Sequence, residues 1–292
     1  MTGFSSDWLA LREPADHRAR DRGLAEALAS LLAARSGGTG SVGVVDCGCG
    51  TGSNLRALAP RLGPSQEWTL VDHDPALLAA ARTALADWAD GAAEHGAQLL
   101  LETGGRRIRV TFLSADLAAD PAAILPPAPD LVTAAALFDL VSSAWIDRFA
   151  DAVAATGAFF HTALSYDGTE AWLPPHPADA AMRAAFLAHQ AGDKGFGEAL
   201  GPRATAALEA AFARRGYAVR TAASPWRLGP EDRALIARLR DGQAQAVAET
   251  GLVPGAAIAA WAEARGRPDT TAVIGHRDLL AWPDSAPGEH PP

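Results

Sequence analysis

Short apolar runs alternate along this chain with stretches whose apolar residues recur at helical spacing. Leu24, Leu28, Leu31 and Leu32 fall at i, i+4, i+7 and i+8, one face of a helix that follows a Pro14-Ala15-Asp16 start signal and stops at Gly37-Gly38. Residues 41–47 read as a buried parallel strand, and the glycines of 48–52 lead into a helix with Leu55, Leu58 and Leu62 on one side. A second strand over 68–71 ends at Asp72. Pro75 then stands where a first helical turn tolerates it, and Leu77, Leu78, Ala81, Leu85 and Trp88 mark the next helix. Segments 98–102 and 108–113, around Thr103-Gly104-Gly105, predict a hairpin whose second arm joins the sheet as its third strand. A fourth strand over 131–135, a helix over 143–155 and a fifth strand over 158–164 continue the rhythm.

Alternation of this kind predicts an α/β fold with a doubly wound, mostly parallel sheet. After Tyr166 the spacing changes: helices over 178–190 and 204–214 and a glycine-rich loop over 192–201 come before the next strand, 217–222. A helical excursion over 230–265 and a last strand over 272–280 bring the expected sheet to seven strands. The expectation is one domain over 1–282: N-terminal helices (1–40), the first half of the sheet (41–165), a helical insertion (166–216) and the second half of the sheet (217–282). A loose tail (283–292) would follow.

Composition narrows the function classes. With 49% hydrophobic and 20% charged residues the 292-residue chain can bury a real core, and its most apolar stretch, 131–137, is far short of a spanning helix. A formal charge of −9, from 25 basic and 34 acidic residues, has the wrong sign for gripping nucleic acid non-specifically. Cys47 and Cys49 are the only cysteines, which excludes a disulfide framework and a four-cysteine zinc site. Asp7, Arg12, Glu13 and Asp16 interrupt the start of the chain where a signal peptide needs an apolar run, so a cytoplasmic location is expected. Lys194 is the only lysine and Asn54 the only asparagine.

The chemistry concentrates in Val44-Val45-Asp46-Cys47-Gly48-Cys49-Gly50-Thr51-Gly52-Ser53-Asn54, where glycines let the backbone turn and approach a ligand, and a helix start offers free N–H groups. A dinucleotide loop has the form G-x-G-x-x-G, whereas Ser53 occupies the third glycine's place here, which weighs against a nicotinamide cofactor. The run resembles motif I of the class I (Rossmann-like) S-adenosylmethionine-dependent methyltransferases, an acidic residue followed by G-x-G-x-G. Asp72 is similar to the acid that binds the ribose hydroxyls in that superfamily, a bidentate, charge-assisted contact. Asp116, in Ser114-Ala115-Asp116-Leu117, resembles the residue that reads the adenine amino group, and the end of the 131–135 strand resembles the segment beside the transferred methyl.

The resemblance implies S-adenosyl-L-methionine as cofactor, held by 41–165 through Asp46, Gly48, Cys49, Gly50, Thr51, Gly52, Asn54, Asp72, His73, Asp116, Leu117 and Ala135. Arg12 and Arg20 are candidates for the methionine carboxylate, because N-terminal helices in this superfamily often fold over the cofactor. Insertion 166–216 then becomes the substrate lid. The family's N-P-P-Y signature, used on exocyclic and amide nitrogens, is absent, as is the Asp plus Asp-Asn set of metal-assisted catechol methylation, so no metal is expected. His189 and Asp139 are the candidates for proton transfer, with Tyr166, Lys194 and Phe138 at the substrate. Trp145 and Trp226 read as packing residues with a second role in an acceptor pocket, and His161 as core. The expected function is metal-independent methylation of a small molecule, oxygen placed ahead of nitrogen or carbon. A protein or RNA acceptor and a non-catalytic S-adenosylmethionine-binding module are the alternatives.

Overall fold

The computed structural model describes residues 4–36, 40–126 and 128–284. The Gly37-Gly38 stop and residues 285–292 of the expected tail lie outside them. Helix α1 (Ser6–Ala19) begins well before Pro14, because the Ser5 hydroxyl caps it by accepting the Trp8 N–H at 3.2 Å. The start signal over 14–16 is therefore inside a helix. Asp21 starts the next one, α2 (Arg22–Ser36), by accepting the Leu24 N–H at 2.7 Å.

Next come β1 (Val42–Cys47), α3 (Ser53–Leu58), β2 (Ser65–Asp72) and α4 (Pro75–Trp88). An antiparallel meander of β3 (Gly91–His95), β4 (Gln98–Thr103) and β5 (Arg106–Ser114) precedes β6 (Leu131–Ala135), α5 (Ser143–Thr156) and β7 (Phe159–Leu173). Helices α6 (Asp179–Gln190) and α7 (Ala204–Ala213), strands β8 (Tyr217–Ala223) and β9 (Trp226–Leu228), helices α8 (Arg233–Thr250) and α9 (Gly255–Arg265), and β10 (Thr271–Pro283) complete the described chain.

The strands form one sheet in the order β3-β4-β5-β2-β1-β6-β7-β10-β8, with β9 on β10. Strands β5, β2, β1, β6 and β7 are parallel, and β10 runs antiparallel between β7 and β8. The sheet has ten strands rather than the seven expected. Strand β3 is exposed at all five positions, so no apolar alternation announces it; pairing with β4 alone makes it a strand. Strand β9 is three residues long, below the length at which alternation can be read.

One apolar cluster packs α2, α3 and α4 on one face of the sheet, and a second packs α5 and α7 on the other. A third, with Tyr166, Trp172, Trp226, Trp261 and Ile274, lies beyond the sheet's carboxyl edge. It exists because β7 outruns its partner: β6 pairs only with residues up to Ala163, whereas β10 stays paired with β7 as far as Leu173. Helices α1, α6, α8 and α9 close around this ribbon. No helix among the described residues is long and apolar enough to cross a membrane.

Candidate active site

The glycine loop is built as its spacing predicts. Gly48, Gly50 and Gly52 have φ of 70°, 53° and 77°, a region costly for any side chain bearing a Cβ. At Gly50 a Cβ would also lie 2.9 Å from Leu9 Cδ1, so α1 rests directly on the loop. The Gly48 and Cys49 N–H groups donate to the Val71 carbonyl at 2.9 and 3.0 Å. Asp72 accepts from the Gly50 and Asp74 N–H groups at 2.9 and 3.0 Å, which fixes the loop against the end of β2. His73 is exposed beside it, with Nδ1 3.4 Å from Asp72 Oδ1. Asp116 is exposed and caps its own turn by accepting the Ala118 N–H at 2.9 Å. Leu117 and Leu137 are buried and flank Gly48. Thr51 and Ala135 stand at the two edges of this loop region, the first buried and the second half-buried at the end of β6. Burial pushes the Cys47 and Cys49 thiols up, so both stay protonated packing groups.

Behind the loop a polar row crosses the sheet. Register sets Asp46 beside Thr133, and Thr133 beside His161, on the face that α2 and α3 cover. Asn54 Nδ2 donates to Asp46 Oδ1 at 2.7 Å and to Thr133 Oγ1 at 3.2 Å. Several buried atoms of this group have no hydrogen-bond partner: Asp46 Oδ2, Asn54 Oδ1, His161 Nδ1 and all three guanidinium nitrogens of Arg20. A cavity of about 210 Å³ is lined by two of this group, Arg20 and His161, together with His17 and Arg56. Orphaned buried groups of both signs are costly without a ligand.

Desolvation raises the Asp46 carboxyl to about 7 and lowers the His161 imidazole to about 3. A folded-state pKa above the unfolded value means that Asp46 contributes stability at low pH, lost as pH rises from about 4 through about 7. Asp46→Asn removes that buried charge and keeps an acceptor for Asn54. The ligand-free variant is expected to gain in melting temperature over the wild type between pH 5 and pH 8, with little difference at the acid end. A pH-independent difference in the two thermal scans contradicts this.

A second cavity, of about 230 Å³, opens where α1, the ends of β6 and β7, α6, α8, β9 and β10 meet. Five buried polar atoms on its wall lack partners: Asp139 Oδ1, Tyr166 OH, Trp172 Nε1, Gln190 Oε1 and His276 Nδ1. Ala136 and Leu164, at φ of 51° and 62°, are the non-glycine residues with positive φ among those described, and both line it. Strained backbone gathers where a site must hold an unusual shape. The Leu164 N–H is held by Asp278 Oδ1 at 2.8 Å, and Asp278 also accepts from Ser224 and from the Asp21 backbone. Burial raises the Asp139 carboxyl to about 6, opposed by Arg12, and pushes the Tyr166 phenol up. It lowers His276 to about 3, which leaves that imidazole neutral.

The expected site residues divide accordingly. Arg20 is buried beside Asp46, but Arg12 points to the second cavity, where it bonds Asp16 at 2.9 and 3.2 Å and lies 4.9 Å over the Trp226 ring. Tyr166, Asp139 and Trp226 line that cavity, whereas Phe138 does not. It is fully buried and packs against Trp145, Phe149 and Phe160, because the short helical turn after β6 aims it into the core. Trp145 belongs to the same core, with Nε1 donating to the Leu117 carbonyl at 2.8 Å. His189 faces outward and pairs with Glu249 at 3.0 Å, one helical step from Gln190, which faces the cavity instead. Lys194 donates to the His189 carbonyl at 3.3 Å, so it closes the end of α6. His161, expected as core, is buried but carries a free nitrogen toward Arg20's cavity. Sequence reasoning missed Trp8, Glu170, Trp172, Phe186 and His276, which come from α1, β7, α6 and β10 and share no motif. Among the described residues no group of three or more His, Cys, Asp or Glu is placed to hold a metal.

Residues 44–157 match the family model described as a methyltransferase domain, and that span holds the glycine loop, Asp72, Asp116 and β6. Those residues form a methyltransferase domain. No curated protein matches the sequence. Among solved structures, the methyltransferase is similar to an S-adenosylmethionine-dependent methyltransferase from Geobacter sulfurreducens in complex with S-adenosyl-L-homocysteine, at 15% identity and a TM-score of 0.44 over 97% of this chain and 100% of that one. It is also similar to magnesium protoporphyrin IX methyltransferase from Synechocystis, at 12% identity and a TM-score of 0.40 over 88% and 83% of the two chains.

Proposed function

We propose that this methyltransferase acts on a small-molecule acceptor bound in the second cavity, without a metal. S-adenosylmethionine supplies, when bound, a methyl group made electrophilic by its sulfonium. The observation that carries the cofactor seat is the set of orphaned buried groups behind the glycine loop. Asp46 Oδ2 and Asn54 Oδ1 are acceptors suited to an α-ammonium, and Arg20 offers a fork of donors suited to an α-carboxylate. That pairing is what an amino-acid tail requires. In this reading Asp72, with His73 beside it, meets the ribose, and Asp116 and Leu117 meet the adenine edge, the roles that the motif resemblance implies.

The acceptor cavity begins at Ala136 and Asp139, the end of β6, and its walls are aromatic with a few polar atoms, the usual make-up of a small-molecule site. Holding a nucleophile close and aligned supplies much of the rate of an in-line displacement. Asp139, with one oxygen unpartnered and half ionised near pH 6, can take a proton from a hydroxyl or answer charge on a nitrogen. A cavity of only about 230 Å³ favours a small molecule over a protein or RNA segment, and its presence favours catalysis over a binding module. Calorimetric titration with S-adenosyl-L-homocysteine is expected to give one site per chain; absence of binding overturns the reading.

A further inference from the structure

We propose that the acceptor of the second cavity is an amine carried on a flat, apolar body, recognised by an aromatic cage and two carboxyl groups. This rests on the methyltransferase reading above and adds the chemical class of its substrate. It also moves the expected acceptor atom from oxygen, which the sequence favoured, to nitrogen.

The wall carries Trp8, Tyr166, Trp172, Phe186 and Trp226, with Phe4 at its edge. Tyr166 and Phe186 meet at 6.2 Å between ring centroids, and Trp226 lies 4.9 Å from the His276 ring. Such faces take a flat body by stacking and a cation by the ring quadrupole. What decides between neutral and basic ligands is the charge left over. Arg12 is the cation nearest the cavity, and Asp16 answers it through two hydrogen bonds while also accepting the Trp226 Nε1–H at 2.9 Å. His276 is neutral. Arg183, the cation acting on Glu170 from α6, is exposed.

Two carboxyl groups remain. Asp139 has a buried oxygen with no partner, and Glu170 accepts from the Gln243 amide at 2.8 Å, beside the Trp172 side chain, with the exposed Arg183 as the cation acting on it. Desolvation raises both, the mark of carboxylates short of a cation. A hydroxyl brings one donor and no charge, and a carboxylate on the ligand would add a third negative group. An amine brings several donors and ends the reaction positively charged. The bound ammonium first gives one proton to the Asp139 carboxylate. The freed nitrogen lone pair then forms the C–N bond as the C–S bond breaks; the bonding pair stays on sulfur, and the positive charge passes to nitrogen between Asp139 and the rings. The product leaves as the methylated ammonium, and Asp139 returns its proton to water.

Calorimetry on protein saturated with S-adenosyl-L-homocysteine tests this with two probes of one shape, 2-phenylethylamine and 2-phenylethanol. The amine is expected to bind at least about tenfold more tightly, the worth of one desolvated cation–π contact. Glu170→Gln, which keeps the side chain's shape, is expected to cut that ratio several-fold with the affinity for S-adenosyl-L-homocysteine retained. Equal or tighter binding of the alcohol, no binding of the amine, or a ratio untouched by both Glu170→Gln and Asp139→Asn overturns the proposal. Failure of S-adenosyl-L-homocysteine to bind overturns the methyltransferase reading and the proposal with it; its binding without an amine preference overturns the proposal alone.

Discussion

Arg20→Met is expected to weaken S-adenosyl-L-homocysteine binding by about two to three orders of magnitude. The guanidinium is buried and unpartnered, with Asp278, Asp16 and Asp46 as its nearest charges, so its donors are free for a ligand carboxylate. Removing one side of a buried, hydrogen-bonded charge pair costs about 2–5 kcal/mol, and each 1.4 kcal/mol is about tenfold in affinity. Arg20→Lys keeps the charge but not the planar fork, and should recover only part of the loss. Arg12→Met is the matched control: its guanidinium is already held by Asp16 in the other cavity, and the change should move affinity for S-adenosyl-L-homocysteine by no more than about threefold. Calorimetry on the three variants checks this. Equal affinities in Arg20→Met and wild type would remove Arg20 from the cofactor seat.

Asp139→Asn should lower kcat by about 10²-fold or more with little change in affinity for S-adenosyl-L-homocysteine. Whether it takes a proton or faces a forming ammonium, the carboxylate acts through a charge that the amide lacks. Arg12 and the Tyr166 backbone N–H face it and hold it down, while burial holds it up, at about 6. Glu170 and His276 line the same cavity, and His276 stays neutral across this range. The wild-type rate is therefore expected to rise as pH passes about 6, where the ionised form takes over. The variant should lose that limb. A pH–rate profile of the variant that still rises near pH 6, or a kcat within about threefold of wild type, would take Asp139 out of the mechanism.

How far sequence reached depended on whether a function is carried by neighbours in the chain. The glycine loop is local: three glycines need left-handed backbone, Asp46 and Asn54 are eight residues apart, and their 2.7 Å bond spans one strand–loop–helix unit. Asp72 follows because a parallel strand must end beside that loop. His189 illustrates the opposite. Its apolar neighbours Met182 and Phe186 share its helix face, but one helical step separates a side chain bonded to Glu249 from Gln190 on the cavity wall. A spacing pattern fixes a face only to within a residue, and the packing of α8 against α6 decides the rest. Phe138 failed for the same reason at the end of β6, where a short turn rotated it into the core and left Asp139 on the cavity.

From the sequence alone followed the α/β alternation, the single sheet and the glycine loop between strand and helix, because strands, tight turns and helix starts are set by residues close in the chain. The tertiary structure decided the ten-strand count, the split of Arg20 and Arg12 between two cavities, and the second cavity itself. That cavity is assembled from α1, β6, β7, α6, α8, β9 and β10, and its lining residues Phe4 and His276 are 272 positions apart. Its charge balance exists only after Asp16 has bonded Arg12 and left one Asp139 oxygen without a partner. Such cancellation is a property of distances in space, which spacing along a chain does not encode.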